Sequence, residues 1–240
     1  MKGTFSFLEP APSRGDQART RLLAAALELF SDLGPHGATV RAIARAAGQN
    51  VAAIAYYFGS KEKLYEAVLE GIVGELHGRM GDVYAEAHAL RARGHATPAE
   101  AEALLDTFFR NLYLRMLSRS EVAAIGRLVV REQLKPTPGF EILYARGFRP
   151  LHEMLCHLVG VALGMDPKTR ETILRTHLLM GQAYFFTMSR EAILRRLGWK
   201  NLEGEKAEWV ADLLSEHLKV LLAGLKGAPP HPQLSHSKIA

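Results

Sequence analysis

The sequence predicts an all-α chain: an N-terminal three-helix domain containing a helix-turn-helix, followed by a larger helical domain. Three observations predict it. Apolar residues recur at three- and four-residue spacing in almost every long segment, whereas no segment alternates with a period of two. Helix start and stop residues punctuate those segments, as in Thr97-Pro98-Ala99-Glu100 and at Gly34, Gly48 and Gly198. At 240 residues with 48% hydrophobic composition, the chain has ample material for such a core.

Residues 1–16 mix Pro, Gly and scattered aromatics without a period and read as a flexible arm, with Arg14 available to DNA phosphates. Arg19 and Arg21 follow and share that possibility. A first helix runs from Arg19 to Leu33, with Leu22, Leu23, Ala26, Leu29 and Phe30 on one stripe. Thr39 caps a second helix in which Val40, Ile43, Ala44 and Ala47 share a face. Gly48 supplies the turn, because positive φ costs it nothing sterically. Asn50 caps a third, short helix carrying Val51, Ile54 and Phe58. Residues 17–65 thus form a helix-turn-helix domain whose third helix fits a DNA major groove.

Downstream, Ser60 caps a helix to about Leu76, and residues 78–96 read as a frayed end and loop because the apolar pattern thins. Thr97 and Glu100 form a capping box for a helix reaching Met116. Ser120 to Leu134 is helical, Pro150 divides the next segment, and Asp166-Pro167 starts a long helix. Ser189 to Leu197 is short and basic, Glu205 to Leu225 is amphipathic, and the tail from Gly227 is expected to be disordered. The second domain therefore spans 66–226 and the tail 227–240.

Charge is mildly polarised. The net formal charge is +5, and residues 1–65 carry eight Lys/Arg against five Asp/Glu. Extra positive charge beside a reading head suits phosphate contact. A single cysteine, Cys156, excludes an internal disulfide framework and fits a reducing compartment. No apolar run is long enough to span a bilayer, and the expected location is the cytoplasm.

The string TVRAIARAAGQNVAAIAYYFGSKEKL, residues 39–64, resembles the DNA-binding domain of the TetR family of bacterial regulators. The match is carried by Tyr56, Tyr57, Phe58, Ser60, Lys61 and Leu64, with Leu22, Ala26, Leu29, Phe30, Gly34 and Thr39 upstream. Segments 131–144, 150–160, 163–167 and 189–199 are similar to the C-terminal domain of the CecR-type subgroup. One departure is Ala55, where many relatives place an aromatic or polar side chain. The resemblance implies that the second domain is a ligand-binding and dimerisation domain, so that a homodimer sits on a double-stranded DNA operator and answers to a small-molecule effector.

Candidate DNA contacts are Thr39, Arg41, Asn50, Val51, Ala53, Tyr56, Tyr57 and Lys61. Asn50, Ala53 and Tyr56 are expected at base edges, and Thr39, Arg41, Tyr57 and Lys61 at the backbone. Candidate effector-pocket residues are Phe108, Phe109, Tyr113, Met116, His152, Cys156, His177, Met180 and Tyr184, an aromatic, Met and polar set between helices. His152 and Cys156 stand four apart in an H-E-x-x-C string, so the zinc-protease pattern lacks its second histidine, and neither a metal nor another cofactor is expected. Catalysis finds no nucleophile elbow, phosphate loop or C-x-x-C motif. The expected function is a homodimeric, effector-released repressor. The competing reading is a helical ligand-binding or catalytic protein whose helix-turn-helix no longer reads DNA.

Overall fold

The computed structural model describes residues 6–8, 13–117 and 120–228, and among them there are helices and no strands. They are α1 (Arg14–Gly37), α2 (Val40–Ala46), α3 (Val51–Phe58), α4 (Lys61–Arg79), α5 (Gly81–Arg93), α6 (Pro98–Leu117) and α7 (Ser120–Leu134). After them come α8 (Phe140–Leu143), a π-helical turn (Tyr144–Phe148), α9 (Arg149–Leu163), α10 (Arg170–Met188), α11 (Arg190–Leu197) and α12 (Glu205–Leu225).

The chain packs as two units. One holds Met1–Gly81 and Arg119–Pro150, the other Asp82–Ser118 and Leu151–Ala240. Packing therefore does not divide at the 65/66 boundary expected from the sequence. Helices α4, α7 and α8 share one core with α1–α3, built on Leu22, Phe30, Ile43, Ile54, Leu64, Leu69, Leu128 and Leu143.

Within this first unit, α1 begins earlier than the sequence suggests. Ser13 accepts the Asp16 N–H at 3.0 Å and starts the helix at residue 14. Ser6–Leu8 form a 3-10 turn, and Phe7 lies so close to Gly71 of α4 that a Cβ there would sit 2.5 Å from its ring. This part of the expected flexible arm is thus packed. The remaining arm residues, 1–5 and 9–12, and the tail from 229 lie outside the described residues.

The end of α1 is bent at Gly34, where φ is 74°. Two arginines of α7 hold that end. Arg127 donates to Glu28 and to the Ser31 hydroxyl, both at 3.0 Å, and pairs with Asp32 at 3.0 Å. Arg131 donates to the Asp32 carbonyl at 2.8 Å, and its guanidinium lies over Gly34, where a Cβ would come within 2.7 Å. Deeper in, buried Glu132 accepts from Tyr65 Oη at 2.5 Å, from Thr137 N at 3.1 Å and from the Thr137 hydroxyl at 2.9 Å. Burial first, and the Glu132 contact second, push the Tyr65 phenol far above its ordinary pKa.

The second unit departs from the sequence reading at two places. Residues 81–93 are helical, because Val83, Ala87 and Leu90 form a buried stripe one residue wide. That stripe is too narrow to stand out among the Gly, Arg and His around it. The long helix α10 starts at Arg170 after a turn in which Asp166 accepts Lys168 N at 2.9 Å and the Thr169 hydroxyl accepts Thr172 N at 3.2 Å. The Thr97–Glu100 capping box is present as read: Thr97 N donates to Glu100 at 2.8 Å and the Thr97 hydroxyl accepts Glu100 N at 3.3 Å. Pro150 does not break its segment. The π turn before it widens the backbone, with Arg149 N bonded five residues back to Tyr144 O, which makes room for a ring that lacks an N–H.

Helices α6 and α12 pair along a polar edge. Glu102 meets Lys226 at 2.6 Å, Asp106 meets Ser215 and Lys219, and Arg110 meets Glu208 at 2.6 Å and Asp212 at 2.5 Å. The acidic and basic groups step one turn at a time along α6, which fixes the register between the helices. Tyr113, Leu194, Leu202, Ala207, Val210 and Ala211 form an apolar cluster in the same unit.

Candidate nucleic-acid interface

Three side-chain caps build the reading head. Thr39 Oγ1 accepts Ala42 N at 3.1 Å, Asn50 Oδ1 accepts Ala52 N at 3.1 Å, and Ser60 Oγ accepts Lys63 N at 3.2 Å. Each satisfies a helix-start donor that would otherwise lack a partner. Between α2 and α3, Gly48 takes φ 61°, and the N–H groups of Gly48 and Gln49 return to Arg45 and Ala44. At the end of α3, Gly59 takes φ 82° and closes the helix onto Ala55 O at 2.9 Å.

These caps fix how α3 is rotated. Ile54 is buried, while Ala53, Tyr57 and Phe58 lean partly on the core. Val51, Ala52, Ala55 and Tyr56 are exposed, Tyr56 to 82%. The outward face is therefore Ala52–Ala55–Tyr56 with Val51 at its edge, while Ala53, expected at a base edge, is half-buried against the core. Small side chains on that face let the backbone approach a groove and can touch thymine methyls, while the Tyr56 hydroxyl supplies a donor and acceptor.

The remaining expected contacts divide by role. Thr39 and Arg41 are exposed at the start of α2 and Asn50 at the start of α3, and the Asn50 side-chain oxygen is already engaged as a cap. Tyr57 meets Tyr56 edge-on at 4.9 Å, and its hydroxyl would lie 3.6 Å from a Cβ at Gly15. Arg19 lies over the Phe58 ring at 5.3 Å, tying α1 to α3. Lys61 Nζ donates to the carbonyls of Pro35 at 2.7 Å and Ala38 at 3.3 Å. Two of its three donors thus hold the end of α1. Ala52 is one of the two small residues that the sequence suggests for close approach to DNA, whereas Ala55 stands out in the sequence only as a departure from the family pattern, and the phase of a helix this short is what hid its outward position.

In the second unit, the expected pocket residues do not converge on one place. A small recess is lined by Phe109, Leu179, Gln182, Ala183, Leu214 and Leu218, so Phe109 is the one expected residue at its wall. Phe108 stacks edge-on against Phe109 at 5.2 Å, and both are buried. Tyr113 lies one turn further along α6, against Phe186 at 5.4 Å. Met180 is buried, and burial raises the Tyr184 phenol. The side chain of Met116 lies outside the described residues.

His152, Cys156 and His177 do gather. Cys156 Sγ is 3.3 Å from His152 Nδ1, and the His152 and His177 rings are 6.0 Å apart. Burial raises the Cys156 thiol and, together with His177, lowers His152, so both groups favour their neutral forms. Among the described residues, no three His, Cys, Asp or Glu side chains are placed to hold one metal ion. None of the described helices is long and apolar enough to cross a membrane.

A capped turn presenting a short exposed helix defines a helix-turn-helix transcriptional regulator, and comparison with known proteins gives the family. Residues 22–68 match the family described as "Bacterial regulatory proteins, tetR family". Residues 101–225 match "HTH-type transcriptional dual regulator CecR, C-terminal domain". The chain is 35% identical over 212 residues to the HTH-type transcriptional dual regulator CecR of Shigella flexneri, covering 88% of this chain and 94% of that one. It is 27% identical over 204 residues to the HTH-type transcriptional repressor NicS of Pseudomonas putida, covering 82% and 89%.

Solved structures share the fold. The ketosteroid transcriptional regulator KstR2 of Mycobacterium tuberculosis superposes with a TM-score of 0.55 at 19% identity, over 89% of this chain and 95% of that one. The hemolysin II transcriptional regulator HlyIIR does so with 0.56 at 20% identity, over 86% and 97%. The chain belongs to the TetR family of bacterial transcriptional regulators, with a C-terminal domain of the CecR type.

Proposed function

We propose that this regulator is a homodimeric repressor that binds a palindromic operator through α3 and is released by a small-molecule effector bound in its second unit. The outward Ala52–Ala55–Tyr56 face of α3 carries this reading, since a groove-reading helix must present short side chains and a polar tip to solvent. Arg41 and Arg45 flank it and would hold phosphates. The description of NicS as a repressor favours repression over activation for this chain.

Dimerisation is supported by a second exposed surface. Leu174, Leu178, Phe185 and Met188 are all exposed, and with Gly181 they follow heptad spacing along α10. Trp209, Leu213 and Val220 are exposed on α12. A stripe of this size on two long helices suits a four-helix interface with a second copy. The two reading heads of a dimer would then address half-sites about 34–36 Å apart, or a multiple of it. Effector binding would alter their separation, and such couplings are typically about 1–3 kcal/mol.

Hydroxyl-radical footprinting on the chain's own promoter tests the reading. Two protected patches about one duplex turn apart, on one face of a palindrome, are expected. Leu178→Glu should sediment as a monomer and lose both patches together. A single protected half-site, or no protection by a wild-type dimer, would overturn the operator reading.

A further inference from the structure

The bend at Gly34 decides where the reading head begins. Gly34 takes φ 74° and ψ 170°, and Pro35 follows it without an N–H to donate. Carbonyls near such a break lose the regular partners of a helix and need donors from elsewhere. Two cations supply them from two different helices. Arg131 of α7 donates to the Asp32 carbonyl at 2.8 Å, and Lys61 of α4 donates to those of Pro35 at 2.7 Å and Ala38 at 3.3 Å. Both charges sit at the negative end of the α1 dipole, where a cation is favoured.

The bend is shaped to seat the guanidinium. A Cβ at residue 34 would come within 2.7 Å of Arg131 Nη1 and 3.3 Å of its Cζ, so glycine alone admits that approach. The same glycine takes the positive φ without steric cost. Arg127, one turn earlier on α7, grips Glu28, Ser31 and Asp32 and holds the face of α1 that leads into the bend.

The gripped carbonyls stand at the entrance to the reading pair. Ala38 is fully buried and is followed directly by Thr39, the cap of α2. The chain then runs through α2, the Gly48 turn and α3 to Gly59, and Ser60 caps α4, whose first residue is Lys61. The ammonium at the exit of this segment thus holds the backbone at its entrance and closes residues 38–61 into a loop. A closed loop fixes the direction in which α3 presents Ala52, Ala55 and Tyr56, as recognition groups require of their supporting contacts.

We propose that Lys61 and Arg131 are positioning residues for DNA reading: they hold the Gly34 bend, and through it α2 and α3, without touching phosphate. The assignment rests on the reading of α3 as the helix that contacts DNA. It makes Arg131, which lies outside the helix-turn-helix in sequence, a determinant of operator affinity. It also changes the role expected of Lys61, because an ammonium bonded to two carbonyls of the folded head is committed to the protein.

Fluorescence anisotropy of wild type, Lys61→Met and Arg131→Met tests the assignment. Each is titrated on a duplex of the chain's own promoter and on a scrambled duplex, across a salt series, at a temperature where circular dichroism shows it folded. Each variant should bind the promoter about tenfold more weakly than wild type. Its salt slope should stay within about 0.3 of wild type, whereas a lost phosphate contact would lower the slope by about 0.9. Lys61→Met alone carries the test if Arg131→Met does not fold.

A slope lowered by about 0.9 in either variant would overturn the proposal, since it marks a phosphate contact. A lowered Tm with wild-type promoter affinity in the folded variant would overturn it as well, by showing a contact that is only structural. In both cases a wild-type preference for the promoter leaves the operator reading standing. No such preference in wild type itself would remove the operator reading, and this assignment with it.

Discussion

Tyr65 and Tyr113 are buried in the apolar clusters of the two units, and they differ in what their hydroxyls meet. Both are buried in apolar clusters and both phenols are pushed up chiefly by burial. Tyr65 donates to Glu132 at 2.5 Å, and Glu132 in turn takes the N–H and hydroxyl of Thr137, which joins α4 to the end of α7. Tyr113 has a ring partner and no partner for its hydroxyl among the described residues. A satisfied buried network makes the first unit rigid and specific in its packing. A buried hydroxyl without a partner gives up its hydrogen bond to water and gains none in return.

The largest expected effect comes from breaking the joint. Glu132→Ala strands three donors in a dry interior and should lower unfolding free energy by about 3 kcal/mol or more, read by urea denaturation. Loss below about 1 kcal/mol would mean that water replaces the carboxylate and that the joint is not what holds α4 to α7. Tyr65→Phe removes one charge-assisted bond and should cost about 1.5–3 kcal/mol. The matched Tyr113→Phe should stay within about 0.5 kcal/mol of wild type, and an equal loss at both sites would erase the comparison.

High pH offers a gentler probe of the same pair. The phenols of Tyr65 and Tyr113 are raised well above the ordinary value of about 10, and burial alone pushes Tyr84 up to about 12. Above pH 10 the native chain holds protons that the unfolded chain has released, so stability falls as pH rises. Absorbance at 295 nm should show these tyrosines ionising together with unfolding and not before it. Tyr65→Phe should shift that alkaline transition, because it removes one of the protons held.

Much of this was legible in the sequence. The caps at Thr39, Asn50, Ser60 and Thr97 act as their residue types and spacing indicate, because capping is local chemistry. The rotation of α3 was not legible. Val51, Ile54 and Phe58 read as one stripe, yet Val51 faces solvent, since two turns of helix leave the phase to its tertiary neighbours. Tyr113 stood among the aromatics, but whether its hydroxyl finds a partner is decided only by its surroundings. Leu179, Ala183 and Leu214 were hidden for the same reason, as ordinary aliphatic positions on amphipathic helices. The packing of Lys61 onto Pro35 and Ala38 depends on where α1 ends, which the bend at Gly34 decides.

The central claim is that α3 reads DNA through Ala52, Ala55 and Tyr56. Fluorescence anisotropy on the chain's own promoter duplex and on a scrambled duplex of equal length, across a salt series, tests it most directly. The account predicts a preference of about a thousandfold or more for the promoter. It further predicts that Tyr56→Ala, with unchanged Tm, lowers promoter affinity about tenfold and leaves the salt slope as it was. Equal and steeply salt-dependent binding to both duplexes, or a Tyr56→Ala variant that binds the promoter like wild type, would contradict it.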